Sequence, residues 1–165
     1  MTEIEAEIEY KIGADVFKVV LASRTRDIFV KAAQQQDIVV KEGEELIAAL
    51  LAYAKGAICS VHRYKNGQRH DSAGGEPAIK TFGDDGVPVY LRFYRDGKLN
   101  DGVNGEPAIQ DFLGGKLFHA YRYNDGKQIK NLSQEEMAAC HEEVRNNKAA
   151  ANQKAFLNKI KVQAP

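Results

Sequence analysis

Four histidines, two cysteines and a recurring aspartate are the side chains from which this chain could assemble a catalytic or metal site. Their spacing supports neither. His62, His70, His119 and His141 fall in no ligand-spaced motif such as HExxH, and no cysteine pair stands near them. His70-Asp71 has the composition of a base and its orienting carboxylate, but it adjoins a turn, and Asp71 returns as Asp101 at the same place in a repeat. Catalysis seldom needs one carboxylate in every copy, whereas a turn cap does. Asp84-Asp85, set between Gly83 and Gly86, reads as a plain turn. Cys140 precedes His141, but adjacent residues of a helix point in different directions and make no nucleophile–base pair. The glycine clusters follow no strand-to-helix junction of the kind that cradles phosphate. No catalytic residue, no metal and no cofactor is expected, and the chain reads as a non-enzyme.

Recognition chemistry is better represented. Tyr64, Tyr94 and Tyr123 each stand three residues before a glycine. Strand alternation from those tyrosines separates two faces. One carries Ser60, His62, Tyr64; Tyr90, Arg92, Tyr94; and His119, Tyr121, Tyr123. The other carries Cys59, Val61, Arg63; Val89, Leu91, Phe93; and Phe118, Ala120, Arg122, and is expected to be the core. Tyrosine and arginine offer large contact area with polar tips and are enriched where proteins bind each other. His62, Tyr64, Tyr90, Arg92, Tyr94, His119, Tyr121 and Tyr123 are therefore the candidate binding residues. The competing reading is a structural ladder of stacked rings, with or without the C-terminal helix lying across it. A second candidate is the acidic strip Glu5, Glu7 and Glu9, which could engage a basic groove or simply protect a solvated edge strand.

The elements that must carry these residues follow from periodicity. Ile4, Ala6, Ile8 and Tyr10 alternate with glutamates, the pattern of a strand with one wet face, and Val16–Ala22 reads as its return partner after a Gly13 turn. Ser23 or Thr25 could cap a helix through Gln36, Ile38-Val39-Val40 reads as a short strand, and Glu44–Lys55 as an amphipathic helix ended by a left-handed Gly56. The order is β-β-α-β-α. The segment Gly75-Glu76-Pro77-Ala78-Ile79 then returns as Gly105-Glu106-Pro107-Ala108-Ile109, with Tyr64, Gly67, Asp71 and Phe82 matched by Tyr94, Gly97, Asp101 and Phe112. A repeat at this period means one supersecondary unit copied and stacked. Asn66-Gly67, Asp96-Gly97 and Asp125-Gly126 mark tight hairpin turns, because these dipeptides tolerate positive φ. Ser133 to Glu136 fits a capping box, opening a helix to about Val162 with a possible break at Asn146-Asn147. Met137, Cys140, His141 and Val144 share one helix face, and two or three turns are expected to cover the sheet. The whole is an α+β protein: a small N-terminal α/β unit (1–56), an antiparallel sheet of repeated β-hairpins (57–130) and a C-terminal helical cap (131–165).

The pattern Tyr-x-x-Gly, Asp, Gly-Glu-Pro-Ala-Ile, Phe, over about 63–127, resembles degenerate MORN-like repeats, whose phage and bacterial relatives carry a Gly-Pro-Ala core after an Asn-Gly-Lys-type turn. Glu76 and Glu106 depart from that core by standing between glycine and proline. The resemblance implies β-hairpin repeats. It also implies a phage or mobile-element setting, hence a protein-binding inhibitor of a host defence system, anti-CRISPR-like, working by steric occlusion. The alternatives are a structural or assembly component of a phage particle or secretion apparatus, and a single-stranded nucleic-acid binder.

Charge bounds those alternatives. Lys+Arg and Asp+Glu are both 23, so no global excess favours nucleic acid or mimics it, and a nucleic-acid partner is not expected. No apolar run is long enough to cross a bilayer, and the acidic opening Met1-Thr2-Glu3 has no secretion-signal core, so no membrane partner is expected. Cys59 and Cys140 are widely separated and expected as thiols in a reducing cytoplasm. The target, if a host defence protein, and the oligomeric state are not encoded in any motif.

Overall fold

A computed structural model describes residues 4–25 and 27–163, with side chains to Lys161. The opening Met1-Thr2-Glu3 lies outside the described residues, as do Arg26, Ala164 and Pro165. The fold is α+β. Strands β1 (Ile4–Ile12) and β2 (Asp15–Ser23) form a hairpin, followed by helices α1 (Ile28–Ala33), α2 (Gln36–Val39) and α3 (Gly43–Tyr53). Strands β3 (Ile58–Lys65), β4 (Gln68–Arg69), β5 (Ile79–Phe82), β6 (Pro88–Arg92), β7 (Tyr94–Arg95), β8 (Lys98–Leu99), β9 (Ile109–Leu113), β10 (Lys116–Asn124) and β11 (Lys127–Asn131) make up the repeat region, and α4 (Gln134–Gln163) closes the chain. A 9-stranded antiparallel sheet runs in the order β1-β2-β3-β5-β6-β9-β10-β11, with β4 paired to β3, and β7-β8 form a separate ribbon. The sheet passes without interruption from the first hairpin into the repeats, because β2 pairs β3 from Phe17↔Lys65 to Ser23↔Ile58.

The repeat chemistry acts where the spacing predicts. Asn66, Asp96 and Asp125 have φ of 49°, 48° and 48°, each followed by a glycine at positive φ, as a two-residue turn of the type matched to strand twist requires. Each turn is seated on the next: Gly97 N–H donates to Arg69 O, and Gly126 N–H to Leu99 O, both at 2.9 Å.

The core lies on one face of the sheet. Val19, Leu21 and Val61 pack with Ala32, Ile38, Ile47 and Leu50 of the three short helices and with Ala54 just after α3. Further along the same face Ala120 meets Leu132, Met137 and Cys140 at the root of α4. The capping box forms as its residues imply, with Ser133 N–H donating to Glu136 Oε2 (2.9 Å) and Glu136 N–H to Ser133 Oγ (3.2 Å).

Four local expectations are corrected. Ile38-Val39-Val40 is not a strand: Gln36–Val39 is one helical turn that inserts Ile38 into the core and leaves Val39 and Val40 exposed. Burial of a single anchor side chain outweighs the β-propensity of three branched residues. α1 begins after Asp27, which sits at φ 70° with no side-chain cap, so neither Ser23 nor Thr25 caps it. α4 runs unbroken through Asn146-Asn147, where Asn147 Nδ2 donates to Asn104 O at 2.8 Å. His141 is exposed and does not share the buried face of Met137 and Cys140.

Candidate functional site

Directly paired residues of antiparallel strands stand on the same side of a sheet. Two rows cross the uncovered face on this basis. One is Glu7, Val20, His62, Ile79, Arg92, Ile109 and Tyr121. The other is Glu5, Ala22, Ser60, Thr81, Tyr90, Asp111 and His119. Glu9, Lys18, Tyr64 and Arg69 extend the same face at one end. The acidic strip and the aromatic set, which the sequence presents as two unrelated candidates, are thus parts of one surface. Strand order supplies that relation, and no local pattern contains it.

Two clusters stand on this surface. In the first, Arg69 Nη1 donates to His62 Nδ1 at 2.9 Å. Arginine has no acceptor, so the His62 ring proton is placed on Nε2. Burial, and next the adjacent Arg69 charge, push His62 below the usual histidine range. The Lys18 ammonium and the Arg69 guanidinium stand 5.5 and 5.4 Å from the Tyr64 ring centre, within cation–π range. Lys18 is also 3.8 Å from Glu7, so it joins the acidic strip to the tyrosine. Glu9, Val16, Lys18, Tyr64 and Gly67 line a shallow groove of about 370 Å³ here.

In the second cluster, Arg92 is held from three sides. Nη2 lies 2.6 Å from Asp111 Oδ1, while Nη1 donates to Leu91 O and Gln110 O at 2.9 Å. Its guanidinium carbon is 5.4 Å from the centre of the Tyr90 ring, which is exposed. His119 stands 4.0 Å from Asp111 Oδ2 and 6.2 Å, ring to ring, from Tyr121. These groups are preorganised, so a partner would not have to order them.

Three predicted positions fall elsewhere or behave differently. Tyr94 is not in the main sheet: it belongs to the β7-β8 ribbon, because the chain leaves β6 at Phe93, whose side chain is buried and whose N–H goes to Ala108 O. Tyr123 lies at the end of β10 beyond a register shift, with its hydroxyl 3.3 Å from Gln128 Oε1. Phe118, assigned by alternation to the core, is 41% exposed and stacks on His119 at 3.9 Å between ring centres. A β-bulge between Leu117 and His119 causes this, since the extra residue breaks the alternation. Among the described residues, no ring contact joins Tyr64, Tyr94 and Tyr123 to one another, so they do not form a stacked ladder.

Sequence reasoning missed Lys18, Arg69, Asp111 and Phe118. Hairpin register could have placed Lys18 opposite Glu9 and, across the Asn66-Gly67 turn, Arg69 opposite Tyr64, but Asp111 meets Tyr90 only through the longer-range β6–β9 pairing. Chemically the arrangement offers aromatic area, two fixed guanidinium groups and a row of carboxylates. Neither cluster pairs a nucleophile with a base. Among the described residues, no group of histidine, cysteine and carboxylate side chains converges to hold a metal. No helix there is long and apolar enough to cross a membrane. No protein-family model, curated protein or solved structure matches this chain.

Proposed function

We propose that the chain is a non-enzymatic protein-binding module whose contact surface is the uncovered sheet face. The observation that carries this reading is the one-sidedness of the fold. The short helices and the root of α4 all pack on the Val19–Val61–Ala120 side, while Tyr90, Phe118 and His119 stand exposed on the other. Preorganised aromatic and guanidinium groups on one sheet face are the features of a binding surface with few ordering costs. The phage-type repeat resemblance turns the partner into a host defence protein and the role into that of an anti-CRISPR-like inhibitor in the cytoplasm, acting by steric occlusion.

A structural or assembly role is the second reading. It is favoured by β1 and β11, which stand at the two ends of the sheet order with one side of each ladder unpaired. Nucleic acid is disfavoured by Glu5, Glu7, Glu9 and Asp111, which share the face with Arg69 and Arg92 and would repel phosphate.

Affinity capture from the native host, run in parallel with wild type and Tyr90→Ser/His119→Ser, tests the proposal. One dominant host protein retained by wild type and lost by the variant is the expected result. Equal retention by both overturns the assignment of the face, and recovery of phage structural proteins supports the assembly role.

A further inference from the structure

Neither reading accounts for the far half of α4. The root of the helix is pinned, with Met137 and Cys140 buried, Asn147 bonded to Asn104 O, and Lys148 Nζ 3.3 Å from Glu106 Oε1. From Ala149 to Lys161 every residue is exposed, so the helix leaves the body as an arm of roughly 20 Å. Phe156, Leu157 and Ile160 are 63%, 49% and 49% exposed on that arm. At 3.6 residues per turn they lie on roughly the opposite side of the helix from Met137, Cys140 and Val144. They cannot be a continuation of the seam that packs on the sheet.

The charges around this patch have one sign. Lys159 borders it on one side, and Lys154 and Lys161 border it on the other, each within roughly 60° of the nearest apolar residue. No aspartate or glutamate follows Glu143. The arm therefore needs a partner that is both anionic and apolar. Two arms laid against each other would set their lysines together without a counter-charge. Nucleic acid would meet the lysines but leave the phenyl ring and its neighbours in water. A protein groove that accepts a helix reads anchors over two or more turns, and here the anchors occupy little more than one.

We propose that the α4 arm docks on an anionic lipid surface, lying in the headgroup plane with Phe156, Leu157 and Ile160 inserted. An anionic bilayer interface supplies both components at once, and lysine stems at the border of the apolar sector reach outward to the phosphates. The arm lies on the membrane and does not cross it. The expectation of no membrane partner drawn from the lack of a spanning run does not address this mode. The inference is independent of the sheet face.

The test is co-sedimentation of the full-length protein with vesicles of phosphatidylcholine alone and with vesicles that also contain phosphatidylglycerol. The expected result is partitioning about tenfold stronger or more onto the anionic vesicles at low salt, falling steeply as salt rises. Phe156→Ser/Leu157→Ser/Ile160→Ser reduces it by about tenfold or more, while Lys154→Gln/Lys159→Gln/Lys161→Gln removes the preference for anionic lipid. Val40→Ser, an exposed apolar site on the body, leaves it unchanged. Failure to bind either vesicle overturns the proposal, as does equal binding to both. Self-association in sedimentation velocity that disappears in the triple serine variant would assign the patch to a second copy instead and equally overturn it.

Discussion

The Asp71 carboxylate accepts the backbone N–H of Tyr94, 23 residues further along the chain, at 2.9 Å. The same oxygen accepts Ala78 N–H at 2.9 Å, and Tyr94 O in return accepts Asp71 N–H at 2.9 Å. One copy on, Asp101 Oδ1 accepts Tyr123 N–H and Ala108 N–H at 3.0 and 2.9 Å, and Tyr123 O accepts Asp101 N–H. The repeated aspartate is a staple between copies as well as a turn cap. A carboxylate reaching two backbone donors in separate segments, one just before a strand and one inside another, explains why the residue recurs while its neighbours vary.

Asp101 carries a further contact that Asp71 lacks. Its second oxygen lies 2.7 Å from Arg122 Nη1. Asp101→Ala leaves two N–H groups and a guanidinium without their acceptor and is expected to cost about 3 kcal/mol. Asp101→Asn keeps the acceptor for the N–H groups and loses only the ion pair, so about half that cost is expected. Urea denaturation of the two variants checks the order. Equal losses would show that the Arg122 contact, and not the backbone staple, carries the energy.

The repeat position held by Arg122 is Phe93 in the preceding copy, so Asp71 has no guanidinium in that place. Burial raises its pKa from 3.8 to about 7, against the opposing pull of the Tyr94 and Ala78 N–H donors. The folded state therefore keeps a proton that the unfolded chain has released. Its contribution to stability is full below about pH 4, declines as pH rises toward 7 and is constant above that. Asp71→Asn removes this slope while keeping the Oδ1 acceptor. Its urea midpoint should overtake that of wild type at pH 8 and converge with it near pH 4. A wild-type midpoint that rises from pH 5 to pH 7 through this residue would contradict the assignment.

An ion pair between buried Arg63 and half-buried Glu44 ties the third helix to the repeats. Arg63 Nε and Nη2 meet Glu44 Oε1 and Oε2 at 2.9 and 3.0 Å, and Arg63 Nη1 donates to Pro77 O at 3.0 Å. Tyr10 Oη donates to Glu44 Oε1 at 3.1 Å, and burial first, then the Glu44 charge, push the phenol above its usual range. Glu44→Ala leaves the buried guanidinium without its carboxylate and should cost about 3–5 kcal/mol. Arg63→Met/Glu44→Leu should lie much closer to wild type, because Phe93 shows that an apolar side chain fits the same repeat position. A double-mutant cycle in urea measures the coupling. Additive losses would mean the pair does not act as a unit.

Much of this was legible in the sequence and some was not, for a definable reason. Signals that act over a few residues gave correct elements: the Glu-alternating strand β1, the positive-φ turns at Asn66, Asp96 and Asp125, and the Ser133–Glu136 capping box. Errors arose where one buried contact or one inserted residue overrides local pattern, as with Ile38 in α2 and Phe118 at the bulge. The candidate surface was legible strand by strand, but its assembly was not. Alternation placed His62 with Tyr64 and Tyr90 with Arg92, whereas the arrival of Glu5, Glu7, Glu9 and Asp111 on the same face depends on strand order.

The exposed part of that face should be nearly silent in stability. Tyr90 is 48% exposed, and His119 stacks on the exposed Phe118 ring, so neither belongs to the core. Tyr90→Ser and His119→Ser are each expected to change unfolding free energy by about 0.5 kcal/mol or less. Thermal melting checks this directly. A large loss at either site would move these residues from recognition to structural support, and would remove the reason for reading the face as a binding surface.

Gly102 tests how strictly the repeat constrains its own divergence. It is the counterpart of Ser72, whose hydroxyl accepts Glu76 N–H at 2.8 Å. In the second copy Glu106 turns inward instead, with Oε2 accepting Asn104 N–H at 3.0 Å and Oε1 lying 3.3 Å from Lys148 Nζ of α4. A β-carbon at position 102 would collide with Glu106 Oε2 and approach the Phe93 ring to 2.9 Å. Glycine is required there for space, since the carboxylate occupies the volume that Ser72 fills in the first copy. Gly102→Ala should therefore cost about 1–3 kcal/mol by overpacking, and Glu106→Ala in the same chain should recover part of that loss by clearing the volume. If urea melts show Gly102→Ala to be neutral, or the double variant to be strictly additive, then Glu106 does not hold the inward position that links the second copy to α4.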